Sequence, residues 1–447
     1  MNKDTTNWGK GQPAATYAWM IEWKLLEYLG ELLKELNSKI DRRLVMTFVG
    51  VVMAILLHRH RNEGLWLSQL GSYLVPTNAV AGRKRIEKLL HSSKWDHQLL
   101  EDYFWQQGDC KVDQIEQAGE AVIAVWDESV VEKPESLSLN RLSPVRSSKA
   151  ARLKRIKPGY FNPPGGRPIF VPGFHWLQVL VGGLTGPLVP AHVAFWTTRG
   201  EQATTKRDTE RQVLHQVADR WRARVIHVFD RGFAGNPWLT LLFVAAARFV
   251  IRWPKHYQLL DENGNLKKAW EIARGKRSWG HKQIWDARRR CHRNIGIVAF
   301  PVFDPVHQEP LWLVVSRQGT GKTPWYLLTS EPVHTLEQAY RIVRSYARRW
   351  QVEMSIRLDK SELAFESLRV FSTEVQQRLF LIVVLVHSFL LQFLTPAFQP
   401  LRDYLLQVWC HRNGEWSRSA AAPLYRLRFA LALFWSCFPP PLLTRLN

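Results

Sequence analysis

Acidic side chains are scarce in this 447-residue sequence: 39 Asp and Glu stand against 61 Lys and Arg, a formal charge of +22. Between residues 136 and 200 there are none. An excess of that size argues against a cationic partner and points to a polyanion whose phosphates the chain neutralises. Cysteine is scarce too, with Cys110, Cys291, Cys410 and Cys437 far apart and no CxxC pair, so neither a disulfide framework nor a cysteine zinc site is indicated. The first ten residues are polar and lack the basic-then-apolar order of a secretory signal, and no lipidation motif stands at either end. A cytoplasmic protein is the expectation. Long apolar runs are missing: residues 44–57 are short of a bilayer span and residues 379–394 carry His387, Ser388 and Gln392, so both are expected as buried core helices without membrane contact. There is no internal repeat. Tryptophan, by contrast, is abundant at 21, a number that suits base stacking and ordinary packing alike.

From about residue 15 to 110 apolar residues recur at helical spacing, with breaks at 62–64 and 75–78. After Pro76, Thr77 or Asn78 can cap a helix carrying Arg83, Lys84, Arg85 and Lys88. A basic helix after a short turn suits a helix-turn-helix DNA reader; a solvated charged face fits the same residues. From Ala121 the pattern becomes strands: 121–126, then 174–181 and 188–197 as a hairpin, a polar helix over 206–222, a strand over 225–229, a helix, and a strand over 248–253. Short alternating runs between about 254 and 331 suggest a mostly strand insertion. No proline or glycine occurs from Thr335 to Thr395, and Thr335 with Gln338 makes a capping box.

Asp127 and Asp230 each close a buried apolar strand, where two carboxylates at one sheet edge could hold Mg²⁺. Either aspartate alone reads more simply as a turn or cap residue. Tyr346, Arg349, Glu353 and Lys360 are spaced i, i+3, i+7 and i+14, which on a continuous helix places them within an arc of about 60°. Such a face suits a metal on Glu353 with phosphates beside it; the plainer reading is an Arg349–Glu353 pair on a solvated face.

The Asp127, Asp230, Glu353 order, the Asp230-Arg231-Gly232-Phe233 stretch and the Tyr-x2-Arg-x3-Glu-x6-Lys pattern at Tyr346, Arg349, Glu353 and Lys360 resemble bacterial insertion-sequence transposases of the DDE type, within the retroviral-integrase superfamily. The resemblance covers about residues 121–360. It implies an α/β, ribonuclease-H-like catalytic core, a mixed five-stranded sheet with helices, interrupted by a β-strand insertion and flanked by α-helical N- and C-terminal regions. Asp127, Asp230 and Glu353 would be the catalytic ligands of two divalent ions, Mg²⁺ with Mn²⁺ able to substitute. Tyr346, Arg349 and Lys360 would bind phosphates. The implied activity is binding of terminal inverted repeats, cleavage at the element ends and transfer of the 3′-hydroxyl into target DNA, with cut-and-paste movement the commonly associated route. A homodimer holding both ends in one DNA complex is implied as well. Glu128-Ser129 follow Asp127 where many relatives carry another short polar pair.

Basic clusters extend a possible double-stranded DNA track. Lys154, Arg155 and Lys157 lie in the acid-free stretch, and Arg288 and Arg289 accompany Trp279 and Trp285 in the insertion, a mixture able to grip backbone and stack an unpaired base. Solvated loops and packing tryptophans remain the alternatives. The Gly319–Lys322 stretch lacks the first glycine of a phosphate-binding loop, Ser316 standing there, so no nucleotide cofactor is expected. The expected divisions are 1–115, a helical DNA-binding domain; 116–253, the first part of the catalytic core; 254–332, the insertion; 333–372, the second part with the Glu353 helix; and 373–447, a helical region able to dimerise. Two rivals stand beside the transposase reading: a metal-dependent nuclease that does not join DNA, and a catalytically silent DNA-binding regulator.

Overall fold

The computed structural model describes residues 14–58, 64–133, 141–147, 169–201, 203–286, 291–319, 323–368, 370, 372–410 and 424–442; Lys154, Arg155, Lys157, Arg288 and Arg289 lie outside them. The apolar periodicity of the first part produces five helices: α1 (Ala14–Lys39), α2 (Arg42–Leu57), α3 (Leu67–Leu74), α4 (Ala79–Leu90) and α5 (Gln98–Gln117). Side-chain caps start two of them. Asp41 accepts from the Leu44 amide at 3.1 Å and Asn78 from the Ala81 amide at 3.0 Å, satisfying donors that have no partner inside a helix.

Six strands follow: β1 (Val122–Glu132), β2 (Ser143–Arg146), β3 (Phe170–Gly182), β4 (Val189–Trp196), β5 (Val225–Phe229) and β6 (Arg248–Arg252), with α6 (Lys206–Trp221) and α7 (Asn236–Val244) as connections. β3 pairs antiparallel with both β1 and β4, whereas β1, β5 and β6 run parallel. The order β4-β3-β1-β5-β6 thus combines a meander with two crossover strands.

The sheet does not stop at these five. The segment expected as a strand insertion forms β7 (Gln258–Leu260), β8 (Leu266–Lys268), a short helix α8 (Ala269–Ala273), β9 (Gly280–Asp286), β10 (Cys291–Phe303), β11 (Pro310–Arg317) and β12 (Trp325–Thr329). β12 pairs antiparallel with β6, so core and insertion share one twelve-stranded sheet. The buried edge of β6 would otherwise leave ladder groups without partners. Residues 320–322, in the glycine-rich stretch, lie outside the described part of the β11–β12 hairpin connection.

Side chains alternate between two cores: Ile123 and Val125 of β1 join one apolar cluster, and Val122, Ala124 and Trp126 the other. On the first face lie α9 (Leu336–Ala347), α10 (Trp350–Arg357) and α11 (Thr373–Gln392); α12 (Gln399–Tyr404) and α13 (Leu424–Cys437) end the described fold. The expected capping box opens α9, Thr335 and Gln338 each accepting from the other's end of the turn. Helices from both ends of the chain share this core, to which Phe48 and Val52 of α2, Phe389 of α11 and Phe434 of α13 all belong. Arg378 ties the two ends directly by donating to the carbonyls of Leu90 at 2.7 Å and Ser92 at 2.9 Å. α11 has the length and apolarity of a membrane span, but 89% of its most apolar window is buried within the fold.

Candidate active site

Val125 of β1 pairs with Val228 of β5 in parallel register. Asp127 and Asp230 each stand two residues further on, so the ladder delivers both just beyond its end on neighbouring strands. Their local settings differ. Asp127 does not end its strand as the apolar run suggests: β1 continues to Glu132 because the longer β3 goes on pairing with it, Asp127 opposite Gln178, after β5 has turned away. Asp127 therefore sits at the fork between them. Asp230 leaves β5 and caps a short 3-10 turn over Arg231–Phe233, accepting from the Gly232 amide at 2.6 Å.

Glu353 lies in the first turn of α10, where exposed helix amides favour a carboxylate. The uninterrupted helix expected to carry Tyr346, Arg349, Glu353 and Lys360 on one face is absent. α9 ends at Ala347, α10 starts at Trp350, and residues Leu358–Glu362 form a π turn. At the first interruption half-buried Arg348 donates to the Gly186 carbonyl in the β3–β4 turn. Arg349 is the cap residue of α10, 6.0 Å from the Tyr346 ring centroid. Tyr346 itself is buried, edge-on to Trp325 with ring centroids 5.1 Å apart. Lys360 turns to β1, donating to the Val130 carbonyl at 2.8 Å and pairing with Glu366 at 2.9 Å.

The three carboxylates belong to one electrostatic group. Burial pushes the Asp127 carboxyl up to about 7; Arg349 acts against this, and the charges of Asp230 and Glu353 add to it. Arg349 donates to Glu353 and lies 3.8 Å from Asp127 Oδ2. Hard carboxylate oxygens that repel one another fit a divalent cation such as Mg²⁺. As placed they do not close on one: among the described residues no group of three or more His, Cys, Asp or Glu has metal-binding geometry. The positive charge between Asp127 and Glu353 is the Arg349 guanidinium.

Residues 174–389 match the family model described as the transposase DDE domain. That stretch, just under half of the chain, is similar to a transposase DDE domain. Asp230 and Glu353 fall inside the match, and Asp127 lies upstream of it. No curated protein matches the chain. Among solved structures, the cryo-EM structure of a piggyBac transposase synaptic complex with hairpin DNA is similar at 11% identity and a TM-score of 0.40, covering 96% of this chain and 81% of that one.

Around the three carboxylates the other residues selected from the sequence separate by exposure. Arg83, Lys84 and Arg85 project from α4 into solvent, Arg83 paired with Glu87 at 2.7 Å. Of the insertion tryptophans, Trp279 and Trp285 are 44% and 52% exposed, whereas Trp253 is buried. Sequence reasoning missed Trp350 and Met354, both exposed on α10 beside Glu353; tryptophan within the charged signature was the available signal. It also missed Gln178, Ser355, Asp359 and His387, which meet beneath the site. For His387 the signal was a polar break in an apolar run.

Proposed function

We propose that this chain is a DNA transposase that binds the terminal inverted repeats of an insertion sequence, cleaves DNA at the element ends and transfers the 3′-hydroxyl ends into target DNA by a cut-and-paste route. The observation that carries this reading is the register-matched Asp127 and Asp230 with Glu353 against them, two of the three lying within a match to the transposase DDE domain. The strand order β4-β3-β1-β5-β6, with its antiparallel meander and parallel pair, supports a ribonuclease-H-like core.

Asp127, Asp230 and Glu353 would hold two Mg²⁺ ions, or Mn²⁺ in their place. Bound there, two such ions supply charge stabilisation for the attacking and leaving oxygens of an in-line phosphoryl displacement. The remaining work belongs to side chains. Arg349, freed from its carboxylates, presents a planar donor fork to a DNA phosphate. Tyr346 supports that guanidinium from below, and Lys360 anchors the end of the Glu353 segment to β1. Trp279, Trp285 and Trp350 offer exposed rings for an unpaired base. Arg83, Lys84 and Arg85 on α4 neutralise phosphates of the repeat, and Lys154, Arg155, Lys157, Arg288 and Arg289 extend the track. Two copies hold the paired ends, and the protein acts in the cytoplasm on nucleoid DNA.

Purified protein, a duplex bearing the flanking inverted repeats and Mg²⁺ or Mn²⁺ test the reading, with Glu353→Gln as control. Metal-dependent cutting at the repeat tip and joining to target, both lost in the variant, are expected. Cutting without joining would leave a nuclease, and protection of the DNA without cutting a silent regulator.

A further inference from the structure

Beneath the carboxylates four polar side chains meet inside apolar core. Gln178 is the ladder partner of Asp127 and faces the same side of the sheet. Ser355, two residues beyond Glu353, donates to Gln178 Oε1 at 3.1 Å. His387 Nδ1 of α11 lies 3.4 Å from Ser355 Oγ and 2.9 Å from Asp359 Oδ1. Gln178 and Asp359 are 0% exposed, His387 1% and Ser355 5%.

Serine, histidine and aspartate in contact invite comparison with a hydrolase triad, but the geometry excludes it. A triad needs hydroxyl and carboxylate on opposite ring nitrogens, and here both approach Nδ1. The group also lacks access to solvent. Nor is it a favourable way to fill space, because well-packed apolar residues of similar volume commonly replace buried ion pairs without loss. Directional bonds do what apolar contacts cannot: they fix how one element is rotated against another. The two bonds at Ser355 join the strand of Asp127, the helix of Glu353 and α11, and His387 adds an ion pair to Asp359.

We propose that Gln178, Ser355, Asp359 and His387 form a buried polar lock that sets the rotation of the Glu353 helix against the Asp127 strand, making His387 and Asp359 positioning residues of the carboxylate site. The π turn contributes by ending the helix with Asp359 inside, while the next residue, Lys360, grips the β1 backbone. The consequence for metal affinity rests on the function proposed above; the lock itself does not.

Two readouts on the full-length protein separate the two claims. In hydrogen–deuterium exchange without metal, His387→Leu is expected to speed exchange across residues 350–357 while leaving β1 and β5 unchanged. His387→Asn, which keeps a donor at the Nδ1 position, should restore protection. Unchanged exchange across that helix in His387→Leu overturns the lock. Should that variant fail to fold, Ser355→Ala removes only the hydroxyl between Gln178 and His387 and is expected to produce the same local acceleration; its absence also overturns the lock. Mn²⁺ affinity, read from the electron paramagnetic resonance signal of the free ion with Glu353→Gln as control, should weaken about tenfold in His387→Leu and recover in His387→Asn. Equal affinity in a folded His387→Leu overturns the positioning role. If wild type and Glu353→Gln bind Mn²⁺ alike, the metal-site reading fails while exchange still decides the lock.

Discussion

Glu353 accepts from Arg349 one turn earlier, and the same guanidinium lies 3.8 Å from Asp127 Oδ2. One internal cation thereby offsets the repulsion among carboxylates that a divalent ion would offset if bound. Arg349→Met removes it and keeps most of the side-chain volume. Without divalent ions the variant is expected to be less stable than wild type by on the order of 1 kcal/mol, the scale of a partly exposed pair. Mg²⁺ should then raise its thermal midpoint by more than it raises that of wild type. Equal Mg²⁺ increments would show that the arginine does not stand in for an ion.

Asp127 is the most confined of the three, at the fork where β1 leaves β5. Asp127→Asn keeps the shape and the acceptor for the Glu128 amide, 3.0 Å away, but removes one of three like charges. The variant is expected to melt higher than wild type in chelator, by about 1 kcal/mol in stability, and to lose about 10³-fold or more in strand cleavage. A destabilised variant would mean that the carboxylate serves the fold, and calorimetry alongside a cleavage gel distinguishes the cases.

Much of this arrangement was legible in the sequence. The apolar runs 121–126 and 225–229 locate both aspartates, because buried parallel strands leave few places for a charge except beyond the last apolar residue. The helix carrying Glu353 was legible in kind but not in shape. A spacing of i, i+3, i+7 and i+14 assumes one unbroken α-helix, and it carries no sign of the turn at Arg348 and Arg349 that separates α9 from α10. The same holds for Gln178 and His387, whose roles come from strand register and helix packing. Periodicity reports which residues are buried, and says nothing about which buried polar groups will meet.

His227 lies in the aromatic cluster on the sheet face opposite the aspartates, its Nδ1 accepting from the Trp126 indole at 3.1 Å. Burial pushes its pKa from 6.5 down to about 3. The unfolded chain takes up a proton near 6.5 that the folded protein refuses until about 3, so stability present above pH 6.5 is lost as pH falls through that window. The loss approaches about 1.4 kcal/mol per pH unit for this residue alone. His227→Gln should flatten the acid limb by close to one proton, measured by urea unfolding at pH 7, 6 and 5. Parallel limbs in variant and wild type would assign the acid sensitivity elsewhere.

Helices α3 and α4 cross at two glycines, where a Cβ on Gly82 would lie 2.1 Å from the Gly71 carbonyl oxygen. Backbone cannot yield there as a side-chain tip could, so Gly82→Ala must push the helices apart, at an expected cost of about 1 to 3 kcal/mol. If α4 is the DNA-reading helix, this variant should also lose its preference for inverted-repeat over scrambled duplex. Lys84→Ala tests the same helix without disturbing its packing. It is expected to keep the fold, weaken both duplexes alike and lower the salt slope of binding by about one, as for one lost phosphate contact. Fluorescence anisotropy over a salt series reads both effects. A slope unchanged in Lys84→Ala would mean that the basic residues of α4 face solvent in the complex, and that the repeat is recognised from another surface.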